Sequence, residues 1–155
     1  MKKIFVFSLV MLFMFFLTGC NGVYKVKDSE YHYFDDARID NDYPQPKIIT
    51  SESELIDYVT LKNYQLYYEE LKEFNDKFFE NKSLIVADWQ TANLTDYYRV
   101  DSYEVVGNEI ILDVVLKETG ISFAMNYYII IVEVKNSRIE GVDKITLNRN
   151  DSLYK

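Results

Sequence analysis

Thiol and imidazole chemistry in this 155-residue chain rests on one cysteine, Cys20, and one histidine, His32. A single cysteine excludes an intramolecular disulfide and a cysteine-ligated metal site. His32 stands in a polar, aperiodic stretch. A catalytic triad needs its base held beside a nucleophile on a rigid frame, so none is expected there. Paired carboxylates can do acid/base work, but with 25 acids in the chain their pairing carries little information. Asp88 beside Trp89 is the most suggestive, since an acid next to an aromatic can line a sugar cleft. More often an Asp that closes an apolar strand caps a turn, and its neighbouring Trp packs on the core. Asp35, Asp36, Asp40 and Asp42 bring oxygen ligands together as Ca²⁺ requires. They lack the EF-hand order with its central glycine, and a solvated face is expected. In Tyr97-Tyr98 and Tyr127-Tyr128, strand alternation turns one tyrosine of each pair inward. Tyr97 and Tyr127, with Trp89, remain as candidate binding residues for a protein partner or a glycan. No catalytic residue, metal site or cofactor is expected.

The first twenty residues dominate the organisation. Lys2 and Lys3 precede an apolar run from Ile4 to Leu17, and the chain turns polar after Cys20. A basic start, an apolar centre and small residues at its end make a secretory signal. The run is shorter than the roughly 20 residues a bilayer span needs. Leu17-Thr18-Gly19-Cys20 resembles the lipobox of bacterial lipoproteins at all four positions. The resemblance implies that the Cys20 thiol receives a diacylglycerol and that cleavage leaves Cys20 first. Acyl chains of the palmitate type contribute about 0.8 kcal/mol per buried methylene, and two of them anchor stably. The expected location is the cell membrane, lipid-anchored and facing outward.

Residues 20–155 are enough for one domain with its own core. Lys2 and Lys3 leave with the signal, so the formal charge moves from −8 to −10. That acidity argues against nucleic acid and against anionic lipid or wall polymers as electrostatic partners. Residues 20–46 read as the lipidated cysteine and a tether ending in Pro44-Gln45-Pro46. Its tyrosines and Phe34 can add a strand to the domain. Ser51 and Glu54 have capping-box spacing, and Leu55, Ile56 and Val59 share a face, which predicts a helix over 52–61. Tyr67, Leu71, Phe74 and Phe78 predict helix between Leu66 and Phe79, one or two segments depending on Asn75-Asp76, with Glu73 and Lys77 as an i,i+4 pair. Strands follow at 84–87, 99–106, 109–117, 126–135 and 142–147. Gly107-Asn108 makes a two-residue hairpin. Apolar residues on both faces at Ile110-Ile111 and at Ile129 and Ile131 require cover on both sides. The reading is α+β: short N-terminal helices followed by a mostly antiparallel β-sheet of about five strands.

Four stretches carry a second resemblance. They are Ile48-Ile49-Thr50-Ser51 with Glu54-Leu55, Phe78 to Val86, and Val100 to Val106 with Gly107-Asn108; the run Tyr127 to Val134 completes the pattern. Over residues 48–147 the order resembles the C-terminal domain family of the protease-complex subunit PrcB and surface lipoproteins that share its pattern. Where members often carry Thr-Gly-Gly-Tyr, this chain has Thr95-Asp96-Tyr97-Tyr98. The resemblance implies a non-catalytic α+β domain over 47–155 that can associate with an exported protease. The alternative is a carbohydrate- or wall-binding lipoprotein that uses exposed aromatics.

Overall fold

Strict alternation over Glu109–Glu118 (β6) puts Ile110, Leu112, Val114 and Leu116 on one face, and all four are buried. That face is the floor of a core shared by two sheets. The computed structural model describes residues 22–35, 45–61, 68–91, 93–122 and 124–152. Leu17, Thr18, Gly19 and Cys20, and Asp36, Asp40 and Asp42 of the acidic cluster, lie outside them.

The other strands are β1 (Tyr24–Lys25), β2 (Tyr31–Asp35), β3 (Lys47–Ile49), β4 (Lys82–Thr91), β5 (Tyr97–Val106), β7 (Asn126–Lys135) and β8 (Lys144–Asn150). They form two four-stranded sheets, ordered β1-β5-β6-β8 and β2-β7-β4-β3. The expected single sheet of about five strands is therefore corrected to eight strands in two sheets among the described residues, while the mixed helix and strand content stands. Five strands were expected because each long run was read as one neighbour of the next. In fact β7 leaves the sheet of β5 and β6, and β8 returns to pair in parallel with β6. The remaining pairings are antiparallel. Residues 22–35, inside the segment read as a tether, supply an edge strand to each sheet.

The first core lies between the sheets, where Tyr98, Val100, Leu112, Val114, Tyr128, Ile130 and Val132 meet. The second lies on the other face of the β2-β7-β4-β3 sheet. There Leu84, Val86, Ile129 and Ile131 are covered by Leu55 and Val59 of α1 (Glu52–Leu61), Leu71 of α2 (Tyr68–Leu71) and Phe79 of α3 (Asp76–Phe79). This sheet is thus covered on both faces, which is why the middles of its two central strands, Leu84 to Ala87 and Ile129 to Val132, are continuously apolar. Ile56 departs from the expected face: it is 100° round the helix from Leu55 and is exposed. At the start of α1, Ser51 Oγ accepts from the Glu54 N–H at 3.2 Å. The Glu54 carboxylate reaches past Ser51 to the Thr50 N–H at 2.8 Å. Asn75 splits the second helical stretch by capping α3, its Oδ1 accepting from the Lys77 N–H at 3.1 Å. Glu73 falls in the turn before it, so the Glu73–Lys77 helical pair does not form among the described residues.

The β5–β6 register has two irregularities, and the second sets the facing of β5. The register passes from Val100 opposite Val114 to Ser102 opposite Asp113, leaving Asp101 as an extra residue. This bulge lets Tyr98 and Val100 before it, and Tyr103 after it, all face the core. It also turns Ser102 and Glu104 to the outer face of the sheet.

Candidate functional site

At one end of the sandwich the loop after β4 (residues 93–96) meets the loop after β6 (residues 119–122 and 124–125). Asn93 Nδ2 donates to the Gly120 carbonyl at 2.6 Å, and Thr119 Oγ1 donates to Asp96 Oδ1 at 2.6 Å. Within the first loop, the Asn93 side chain accepts from the Thr95 N–H at 3.1 Å and from Thr95 Oγ1 at 2.7 Å. The approach is close at Gly120, where a Cβ would stand 2.8 Å from Thr95 Oγ1 and force that side chain to shift. These bonds tie the two loops to each other, and on them three large apolar side chains face solvent. Leu94 is 50%, Met125 48% and Ile121 91% exposed. Beside them Gln90 Nε2 donates to Tyr127 Oη at 3.2 Å and approaches Met125 Sδ at 3.3 Å. A fixed apolar tip with a tyrosine flank has the composition of a protein-binding surface.

Of the residues expected to bind, Tyr127 joins this tip. Tyr97 follows the same loop but lays its ring edge-on against Tyr33 at 5.4 Å, in the seam between the sheets. Its hydroxyl pKa is raised, first by burial. Tyr97 and Tyr127 therefore stand on opposite faces of the β2-β7-β4-β3 sheet and do not form one platform. Trp89 is buried against Tyr98 in the inter-sheet core. Its indole N–H has no acceptor among the described residues. Asp88 lies within β4 rather than at its end, and accepts from Tyr58 Oη at 3.1 Å on the helix side. Alternation thus points Asp88 and Trp89 to opposite faces, and they do not line one cleft. Leu94, Ile121 and Met125 had no periodic signal to announce them. What could have found them is apolar residues standing alone in loops rich in Asn, Thr and Gly.

A tyrosine network closes the same end of the core. Tyr98 Oη donates to Asp151 Oδ1 at 2.7 Å and accepts from Arg149 Nη2 at 2.5 Å. Burial, then the Asp151 bond, pushes the Tyr98 hydroxyl up to about 12. Tyr128 Oη accepts from the Tyr98 N–H at 3.2 Å, and burial likewise raises its pKa. These hydroxyls stay protonated and serve as structural bonds.

His32 stands in β2 on the helix side, edge-on to Phe74 at 5.1 Å. Its Nε2 lies 2.9 Å from Glu133 Oε1, and Lys82 Nζ donates to Glu133 Oε2 at 2.5 Å. The remaining nitrogen, Nδ1, is 4.0 Å from Glu73. Both ring nitrogens thus face carboxylates, an arrangement that fixes a strand edge and offers no nucleophile to activate. Burial works to raise the Glu133 pKa, but the bonds from His32 and Lys82 outweigh it and hold the carboxyl below its ordinary value. The sign follows: this contribution to stability is complete above the ordinary value of 4.5 and is lost as pH falls through the lower folded value. Melting wild type and Glu133→Gln from about pH 6 to about pH 2.5 should show a large gap that closes with acid. A gap of constant size would refute the assignment.

Compared with protein-family models, curated proteins and solved structures, the chain matches none. Among the described residues, no helix is long and apolar enough to cross a membrane.

Proposed function

We propose that this protein is an outward-facing, lipid-anchored surface lipoprotein whose domain is a non-catalytic interaction module for another exported protein. The observation that carries the reading is the tip, where Ile121, Leu94 and Met125 stand exposed on loops fixed by their own hydrogen bonds. Exposed apolar side chains cost solubility, and loops fixed in advance lose little entropy on binding. That combination suits a protein partner better than a polymer of sugars, because the aromatics a glycan would need are buried or split between faces. An exported protease is the first candidate, as the PrcB resemblance implies.

The test is photo-crosslinking from position 124, an exposed alanine of the same tip, in native membranes, followed by mass spectrometry, with and without Ile121→Asp. One protein should be captured in near-equal amount by wild type and reduced about tenfold or more by Ile121→Asp, the loss expected of an interface anchor. The variant's folding stability should stay within about 0.5 kcal/mol, because the side chain is solvated. Capture that is unchanged in Ile121→Asp would sink the assignment of the tip.

A further inference from the structure

The outer face of the β1-β5-β6-β8 sheet holds a groove of about 160 Å³, lined by Val23, Ser102, Glu104, Ile111, Asp113 and Asn148. That is room for several waters or one aminoalkyl chain. Its polar groups are there because of the Asp101 bulge, which turns Ser102 and Glu104 outward. Across the strand pair Ser102 opposes Asp113 and Glu104 opposes Ile111.

The groove is short of hydrogen-bond partners and of positive charge. Ser102 is 4% exposed, yet its hydroxyl has no hydrogen-bond partner among the described residues. Glu104 has neither an ion pair nor a hydrogen bond among them. Asp113 accepts one bond, from Asn148 Nδ2 at 3.0 Å. Three of the neighbouring cations are engaged elsewhere. Lys117 pairs with Asp101 at 2.6 Å, and Lys144 with Glu109 at 2.9 Å. Arg138 donates to Tyr103 Oη at 2.7 Å and lies over the Tyr24 ring. Lys25, opposite Ser102 in register, is exposed and makes no ion pair among the described residues. The Ser102 hydroxyl lines the groove and is open to a ligand donor there.

We propose that this groove binds a primary ammonium group carried on an aliphatic chain. Val23 and Ile111 provide apolar walls for the methylenes. Glu104, Asp113 and the Ser102 hydroxyl are three acceptors for the three N–H donors of an ammonium. The negative charge of the whole protein raises the local concentration of such cations. The ammonium can come from a lysine of a neighbouring protein or from a free alkylamine. The proposal stands on the groove alone and does not depend on the tip.

Calorimetric titration of the full lipidated protein in detergent micelles tests it, using two probes. Nα-acetyl-lysine methylamide stands for a protein lysine, and 1,5-diaminopentane for a free amine; the tighter of the two identifies the source. Binding should weaken about tenfold in Glu104→Gln and in Asp113→Asn, the loss of one charged hydrogen-bond partner. It should also weaken as salt is raised, strengthen or stay level in Lys25→Gln, and be unchanged in Ile121→Asp. Both acid variants should melt close to wild type, since the two side chains are only half-buried. Three results would overturn the proposal: no heat with either amine, equal binding of the Nε-acetylated lysine derivative, or full affinity in Glu104→Gln.

Discussion

Deleting Asp101 should abolish the native fold, whereas Asp101→Ala should leave it nearly intact. The difference isolates the residue count of β5 from the chemistry of the side chain. Period-two alternation means that removing one residue turns over one half of the strand. If the second half keeps its facing, Tyr98 and Val100, 1% and 0% exposed, are driven out of the core. If the first half keeps its facing, Tyr103 and Val105 leave instead, and the Glu104 carboxylate is forced between the sheets. Losing a large buried side chain costs about 2–5 kcal/mol, and an unpaired buried charge costs more. Two such losses together approach or exceed the roughly 5–15 kcal/mol that stabilises a domain. Asp101→Ala keeps the bulge and loses only a partly solvated ion pair to Lys117, about 1 kcal/mol or less. Thermal melts followed by circular dichroism, with limited proteolysis, separate the outcomes. A cooperative melt of the deletion variant within a few degrees of wild type would show that the bulge does not set the facing.

The bulge also marks the boundary of what was legible in the sequence. The regular elements were visible because their signals are local. Leu55 and Val59 are one helical turn apart, Gly107 sits at φ +64° in its hairpin, and Ile110, Leu112, Val114 and Leu116 recur at every second position. The division into two sheets was not visible, since a strand looks the same whichever neighbour it pairs with. Apolar residues on both faces of β7 did announce two-sided cover, but not that one cover is a second sheet and the other a set of short helices. His32 and Phe34 were placed in a tether because their strand is short and bordered by acids, and β2 gains its stability only from pairing with β7. The site was less legible still. Neighbours in sequence, Asp88 and Trp89, are parted by alternation. The tip joins Leu94 to Ile121 through hydrogen bonds of residues with no pattern, and the groove exists only because a bulge reverses two side chains. The proposed tip and groove both rest on irregularities, which a periodic reading averages away.

Cys20→Ala should yield a protein that takes up no acyl label and keeps its first nineteen residues. The lipobox-like Leu17-Thr18-Gly19-Cys20 supplies a thiol, the only one in the chain, and a hydroxyl-free, uncharged methyl group cannot form the thioether. If cleavage waits on the lipid, the variant stays as a precursor held by its Ile4 to Leu17 run. Wild type should carry palmitate-type label and begin at Cys20. The two forms then differ in how they hold the membrane. Two acyl chains at about 0.8 kcal/mol per buried methylene anchor stably. An apolar run shorter than a bilayer span anchors weakly, and the acidic domain adds no attraction to an anionic surface. Alkaline washing should therefore release far more of the variant than of wild type. Label incorporation and the N-terminal mass, read on both proteins, decide the matter. Unlabelled wild type with an N-terminus other than Cys20 would return that cysteine to an ordinary thiol and remove the lipid anchor from the proposed function. The ammonium-binding groove on the folded domain would be untouched by that result, because it rests on residues 23–148 alone.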